Sequence, residues 1–169
     1  MDGIERRKII ERNLRESKFP IKGQYFAKKL GVSRQVIVQD IAILRAEGLN
    51  LIGTPSGYKM EKESSGIVKR ITTLHHTHDE MSKELGVFIK HGARILDTIV
   101  EHEIYGEIRA NLHIKTSDEL KDFVKKSEGI EPLSKITSGV HLHTIEVDKE
   151  EDYENIIKDL KAMNLLITD

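Results

Sequence analysis

The segment Gly139-Val140-His141-Leu142-His143-Thr144-Ile145 holds the residues with the clearest capacity for chemistry. In an extended strand successive side chains point to opposite faces, so His141 and His143 share one face. Two imidazoles fixed side by side supply half of a transition-metal site. Upstream, His75-His76-Thr77-His78 and then Glu84 offer a further nitrogen and a carboxylate. The chain has no cysteine, so a metal here must be held by nitrogen and oxygen alone.

A second constellation occupies the first third of the chain. Ser33 is an N-cap type before a helix reaching about Glu47, and the left-handed conformation open to Gly31 ends the helix before it. At about 100° per residue, Ile37, Ile41 and Leu44 gather on one side, which faces a core. Arg34, Gln35, Val38, Gln39 and Ala42 gather on the other. Arginine pairs bidentately with guanine and glutamine with adenine in the major groove. Helix, short helix, tight turn and polar-faced helix is the helix-turn-helix order. Segments 49–52 and 58–60, around Gly53-Thr54-Pro55-Ser56-Gly57, read as a hairpin wing. That wing would bring Ser56, Tyr58 and Lys59 toward a backbone or minor groove. The expected DNA-contacting set is therefore Ser33, Arg34, Gln35, Val38, Gln39, Ser56 and Tyr58.

Charge follows the same division. Residues 1–60 carry 12 Lys+Arg against 6 Asp+Glu, a net of +6, and the remainder carries 15 against 22, a net of −7. A basic module beside an acidic one suggests that only the first meets a polyanion. With 38% hydrophobic and 33% charged residues and no long apolar run, the 169-residue chain reads as soluble. No apolar signal segment follows the charged start, and the absence of cysteine suits the cytoplasm.

The elements that must position these residues follow from periodicity. A helix spaced by Ile4, Ile9, Ile10 and Leu14 precedes one over 23–30. Polar residues 61–66 form a linker, giving domains at 1–62 and 66–169. The second domain reads as a strand over 67–74, a helix over 79–91 and paired strands over 94–102 and 107–114. A helix over 117–126, a strand over 140–147, a helix over 150–163 and a short strand at 165–167 complete it. Such an order builds an α+β fold, an open antiparallel sheet with helices on one face.

Segments 32–41, 100–108 and 139–145 resemble the NiaR family of bacterial repressors of niacin-related genes. The resemblance covers nearly the whole chain, and the last segment is its most specific part. It implies a winged helix-turn-helix domain followed by a three-histidine (3H) domain, an HPr-like open-faced β-sandwich. It further implies a homodimer, a bound divalent metal, and nicotinic acid as corepressor. Its metal ligands match His76, Glu84, His141 and His143, which suit Zn²⁺, Ni²⁺ or Fe²⁺. The turn residues His102, Tyr105 and Glu107 fall at its effector pocket. Glu103 and His91 depart from the family pattern, the first where a proline is usual.

These observations lead to an expected transcriptional repressor, not an enzyme, that binds operator DNA in response to nicotinic acid. Two rivals share its residues. A metal-dependent hydrolase would use the histidines and Glu84, yet Glu84 as a ligand leaves no general base, and no His-Glu-x-x-His occurs. A phosphocarrier would use His78 near a helix start, but Glu80 would repel the phosphoryl group there.

Overall fold

A computed structural model describes residues 1–168, which divide into two compact units between Glu63 and Ser64. The first unit begins with helix α1 (Gly3–Glu16), whose N-cap Asp2 accepts the Glu5 amide at 2.8 Å. Helix α2 (Gly23–Leu30) ends at Gly31, which takes the left-handed conformation with φ 67°. Helix α3 (Arg34–Ala46) starts from Ser33, whose hydroxyl accepts the Val36 amide at 3.3 Å. Ile10, Leu14, Phe26, Ala27, Ile37, Ile41, Leu44 and Leu51 close into one core. Ile4, expected on the inner face of α1, lies in its first turn and is exposed.

Strands β1 (Leu51–Thr54) and β2 (Gly57–Met60) pair antiparallel. Gly53 and Thr54, expected in the turn, are ladder residues opposite Tyr58 and Gly57, so the turn shrinks to Pro55-Ser56. The wing is also tied back to the chain before α2. Ile21 exchanges backbone hydrogen bonds of 2.8 and 2.9 Å with Tyr58. Gly57 sits at φ 132° against this segment, where a Cβ would come within 2.5 Å of the Ile21 carbonyl. Only glycine fits that approach.

The second unit is a four-stranded antiparallel sheet in the order β3-β6-β4-β5. Its strands are β3 (Ile67–Leu74), β4 (Arg94–His102), β5 (Gly106–Ile114) and β6 (Val140–Val147). Helices α4 (His78–Lys90), α5 (Ser117–Lys126) and α6 (Glu150–Ala162) share one core with it. Alternation explains the division of the strands. Ile71, Ile95, Ile145 and Val147 enter the core with Leu85, Phe88, Ile156 and Leu160 from the helices, while Val68 and Val140 remain exposed. Helices α4 and α5 both begin with capping boxes, Thr77 with Glu80 and Thr116 with Glu119. The expected strand at 165–167 is reduced to one bridge, Leu166 to Thr73. A 3₁₀ turn over Leu133–Thr137 was not legible from periodicity, being shorter than any repeat that could reveal it. Among the described residues, no helix is long and apolar enough to cross a membrane.

Asp40 is a buried carboxylate on the otherwise apolar side of α3. It accepts from Arg6 Nε at 2.5 Å and Nη2 at 3.1 Å, with Arg7 Nη1 at 3.5 Å, pinning α1 to α3. Removing one partner of such a pair strands the other charge. Asp40→Ala is therefore expected to destabilise the N-terminal unit by about 3 kcal/mol, at the lower edge of the range for buried pairs because Arg6 keeps some solvent contact. Urea unfolding of the full chain, read by a probe in residues 1–63, checks this, with a loss under about 0.5 kcal/mol counting against the pin.

Candidate functional site

In the second unit the register of β3 against β6 sets Thr73 opposite His141 and Ile71 opposite His143. Next to it, Thr98 of β4 stands opposite His143. A β-bulge between Ile95 and Asp97 shifts this register, so Thr98, and not its neighbour, shares the histidine face. Above that face α4 lays Glu84, whose side chain is fully buried. Thr73 donates its hydroxyl to Glu84 Oε1. His141 Nε2 and His143 Nε2 each lie 3.0 Å from the same oxygen, and His75 Nδ1 lies 2.5 Å from Oε2. Potential ligand atoms of His75, Glu84 and His141 all fall within 4.8 Å of one another.

The far side of each ring is anchored. His141 Nδ1 donates to the Gly139 carbonyl at 2.8 Å, and His143 Nδ1 donates to the Asp97 carbonyl at 2.9 Å. His75 Nε2 lies 3.2 Å from the Ser134 hydroxyl. Such outer contacts fix the orientation and tautomer of histidines that bind metal. They also create an electrostatic requirement. With Nδ1 carrying the proton, the neutral rings of His141 and His143 aim lone pairs at a carboxylate oxygen. Positive charge must sit between them, as added protons or as a metal ion. Two added protons would place two imidazoliums with ring centres 4.8 Å apart in a dry interior. A single divalent ion meets the same requirement without that repulsion. The donor set of three nitrogens and one carboxylate thus fits a transition metal.

Burial alone would raise the Glu84 pKa, but the charge of His143 and bonds from His141, His143 and His75 hold it well below the ordinary carboxylate range. For His143 burial works downward, and the charge and hydrogen bond of Glu84 overcome it, leaving the ring above its ordinary value.

The structure brings Glu84, His141 and His143 together but leaves His76 exposed, outside the cluster. His75 takes the place expected for His76. The cause is alternation: Ile71, Thr73 and His75 share the core side, and His76 turns away. That period-two pattern was present in the sequence and identifies His75. His78 is engaged elsewhere, its Nε2 lying 3.0 Å from the Val124 carbonyl and 3.1 Å from Ser127 Oγ, between α4 and α5.

Of the expected effector residues, His102 and Tyr105 stack loosely at 5.0 Å on the β4–β5 turn, where Tyr105 is 77% exposed. His102 Nδ1 accepts the Ile104 and Tyr105 amides at 3.0 and 3.2 Å, so it holds the turn itself. Glu107 is exposed and lies 3.8 Å from Arg109.

In the first unit, Arg34, Gln35 and Gln39 are exposed along α3, with Val38 half-buried between them. Ser33 accepts an amide as the N-cap, which leaves its hydroxyl proton available to a phosphate. Ser56 occupies the wing turn. Tyr58 is partly buried, its ring against Gly23 and the core. Arg45 Nε donates to the Leu51 carbonyl at 3.0 Å, fastening α3 to the wing.

Thr73→Val keeps the shape of a β-branched side chain while removing the hydroxyl from Glu84. Leaving a buried acceptor short of a donor costs about 1–3 kcal/mol. Chelator-treated protein should lose that much stability in urea, and an unchanged midpoint would show that Glu84 does not depend on Thr73.

Comparisons with known proteins agree with this division. Residues 5–59 match the HTH domain family and residues 69–169 match the 3H domain family. The chain is 46% identical over 165 residues to the "Probable transcription repressor NiaR" of Thermotoga maritima, covering 96% of this chain and 94% of that protein. It is 35% identical over 172 residues to the "Transcription repressor NadR" of Bacillus subtilis, covering 99% and 96%. Such similarity across nearly the full length of both proteins leaves neither half unaccounted for, and the chain belongs to the NiaR/NadR family of transcription repressors, which join a helix-turn-helix domain to a 3H domain.

Proposed function

We propose that this protein represses niacin- and NAD-related genes by binding operator DNA as a homodimer, with nicotinic acid as corepressor. It acts in the cytoplasm and carries a divalent metal in its 3H domain. The observation that carries the metal reading is the pair of carbonyl-anchored imidazoles aimed at one oxygen of Glu84. His75, Glu84, His141 and His143 would hold the ion, which would supply a fixed positive charge and, where coordination stays open, a Lewis-acidic position. The residues around it do the positioning: Gly139 and Asp97 set the ring tautomers through their carbonyls, and Ser134 orients His75.

The DNA reading rests on the exposed row Arg34, Gln35 and Gln39 with half-buried Val38 on a helix whose other side is core. Ser33 and Ser56 would meet phosphate oxygens. Tyr58 supports the wing from within and would add a contact from the wing. A dimer sets two such helices at successive major grooves, which gives a two-fold operator its half-site spacing.

Arg34→Ala or Gln35→Ala should weaken operator binding by about 1–3 kcal/mol and relax preference at one base pair. Equal loss on operator and random DNA would reduce these residues to phosphate contacts. His141→Ala should abolish the bound metal, measured by elemental analysis of the purified full chain, and full occupancy in the variant would sink the ligand assignment. Nicotinic acid should tighten operator binding, and operator should tighten nicotinic acid binding by the same factor. Calorimetry with and without operator tests that reciprocity, and identical affinities would remove the corepressor role.

A further inference from the structure

The outward stripe of α3 does not end at Ala42. Eleven residues at about 100° each bring Arg45 back to within about 20° of Arg34, so both arginines stand on one face. Arg45 is exposed and lies in the last turn of the helix. At about 1.5 Å per residue it sits roughly 16 Å further along the axis than Arg34. The major groove is about 12 Å wide. With the N-terminal residues of α3 at the base edges, a side chain that far along has left the bases and reached the level of the phosphate backbone.

The surroundings of Arg45 differ from those of other arginines in the same unit. Arg6 and Arg7 lie against Asp40, and Arg15 lies against Glu11. Arg45 instead donates Nε to a neutral acceptor, the Leu51 carbonyl, at 3.0 Å. Among the described residues it forms no ion pair, so its charge has no protein counter-charge. A guanidinium has five N–H donors, and this bond uses one of them. The outer nitrogens face the wing, with Nη2 at 3.6 Å from the point a Gly53 Cβ would occupy. Gly53 has no side chain to cover them. The strand that supplies the carbonyl is itself fixed, because Glu61 donates its amide to Asn50 at 2.9 Å and Ile21 is bonded to Tyr58. A guanidinium already oriented by backbone loses less freedom when it takes a ligand. Phosphate oxygens match its fork.

We propose that Arg45 is a DNA-contacting residue whose outer nitrogens take one backbone phosphate where α3 meets the wing. The proposal rests on α3 being the helix that enters the major groove. Arg45 then has two tasks: Nε fastens the wing, and the outer nitrogens clamp the duplex. The side chain ties the base-reading helix, the wing and the backbone into one register. It carries no sequence information itself, since every step of the duplex offers the same phosphate.

The test separates the two tasks. Glutamine places its amide nitrogen as many bonds from Cα as arginine places Nε. Arg45→Gln can therefore keep the Leu51 bond while losing the charge and the outer nitrogens, whereas Arg45→Met loses both. The full chain, with divalent metal and nicotinic acid, is titrated by fluorescence anisotropy over a series of salt concentrations. The probes are a duplex that the parent chain selects from a random pool and a scrambled duplex of the same composition. Arg45→Gln should weaken both duplexes by the same factor and flatten the slope of log K against log salt by about 0.9 for each bound chain. Arg45→Lys, which retains the charge, should keep the parent slope. Thermal unfolding of the variants should match the parent, since the side chain is exposed. If Arg45→Gln keeps the parent slope and affinity while Arg45→Met weakens, the side chain only fastens the wing and the proposal is overturned. A loss confined to the selected duplex makes Arg45 a base contact and overturns it as well. Arg34→Ala in the same titrations should lose the preference between duplexes. If it binds both as the parent does, the reading of α3 fails and the proposal falls with it; if only Arg45→Gln is silent, the reading of α3 stands alone.

Discussion

The buried carboxylate of Glu84 sets the terms for the second domain. An ionised group without solvent is tolerated in a protein interior only when donors and opposite charge surround it. Every element near Glu84 contributes to that compensation. β3 brings Thr73, β6 brings two histidines, the segment between β3 and α4 brings His75, and the 3₁₀ turn brings Ser134 behind it. The β4 bulge belongs to the same arrangement, since it turns Thr98 toward His143 while Asp97 accepts the Thr144 amide on the other side. A sheet register slipped by one residue would turn both β6 histidines away and leave the carboxylate bare. The cluster therefore specifies register as well as chemistry.

The first domain solves a smaller version of the same problem with different means. Asp40 is also buried, but two arginines from α1 reach it, and the result is a clasp between helices. Arginine is suited to that task because its charge is permanent and its fork matches a carboxylate. Histidines suit Glu84 because a neutral ring can yield its lone pair to a metal. Opposite side-chain choices around two buried acids thus distinguish a permanent ion-pair clasp from a set of donors that suits a metal ion.

Most of the architecture was legible in the sequence because period 3.6 and period 2 were clean. The α3 face with Arg34, Gln35 and Gln39 outward and the His141/His143 strand appear as those periods require. His75 was obscured by its neighbour, since two adjacent histidines at the end of a strand differ only in which face they take. Alternation from Ile71 and Thr73 resolves it, but only once the strand is known to keep its phase past Leu74. A cavity beside His76 was not legible at all. Its walls come from the end of β3, the first turns of α4 and the turn after α6, segments joined by tertiary contact and by no local pattern. The wing turn was placed too broadly because glycine and proline mark breaks, whereas Gly53 is held inside a ladder by its partner Tyr58.

Gly139 has a further bearing on how this domain can vary. It holds φ 97°, and a Cβ there would come within 2.5 Å of the His75 carbonyl and 2.9 Å of Leu74. Its own carbonyl orients His141, and its amide closes the 3₁₀ turn on Ser134. The long connection after α5 therefore ends on a residue that touches both strands of the cluster at once. Insertions and substitutions over residues 128–131 of that connection can be absorbed at the surface, where loops commonly tolerate them. At Ser134, which backs His75, and at the final residue no such latitude exists, so the connection can diversify only before its 3₁₀ turn, and its last backbone unit is held to a single shape.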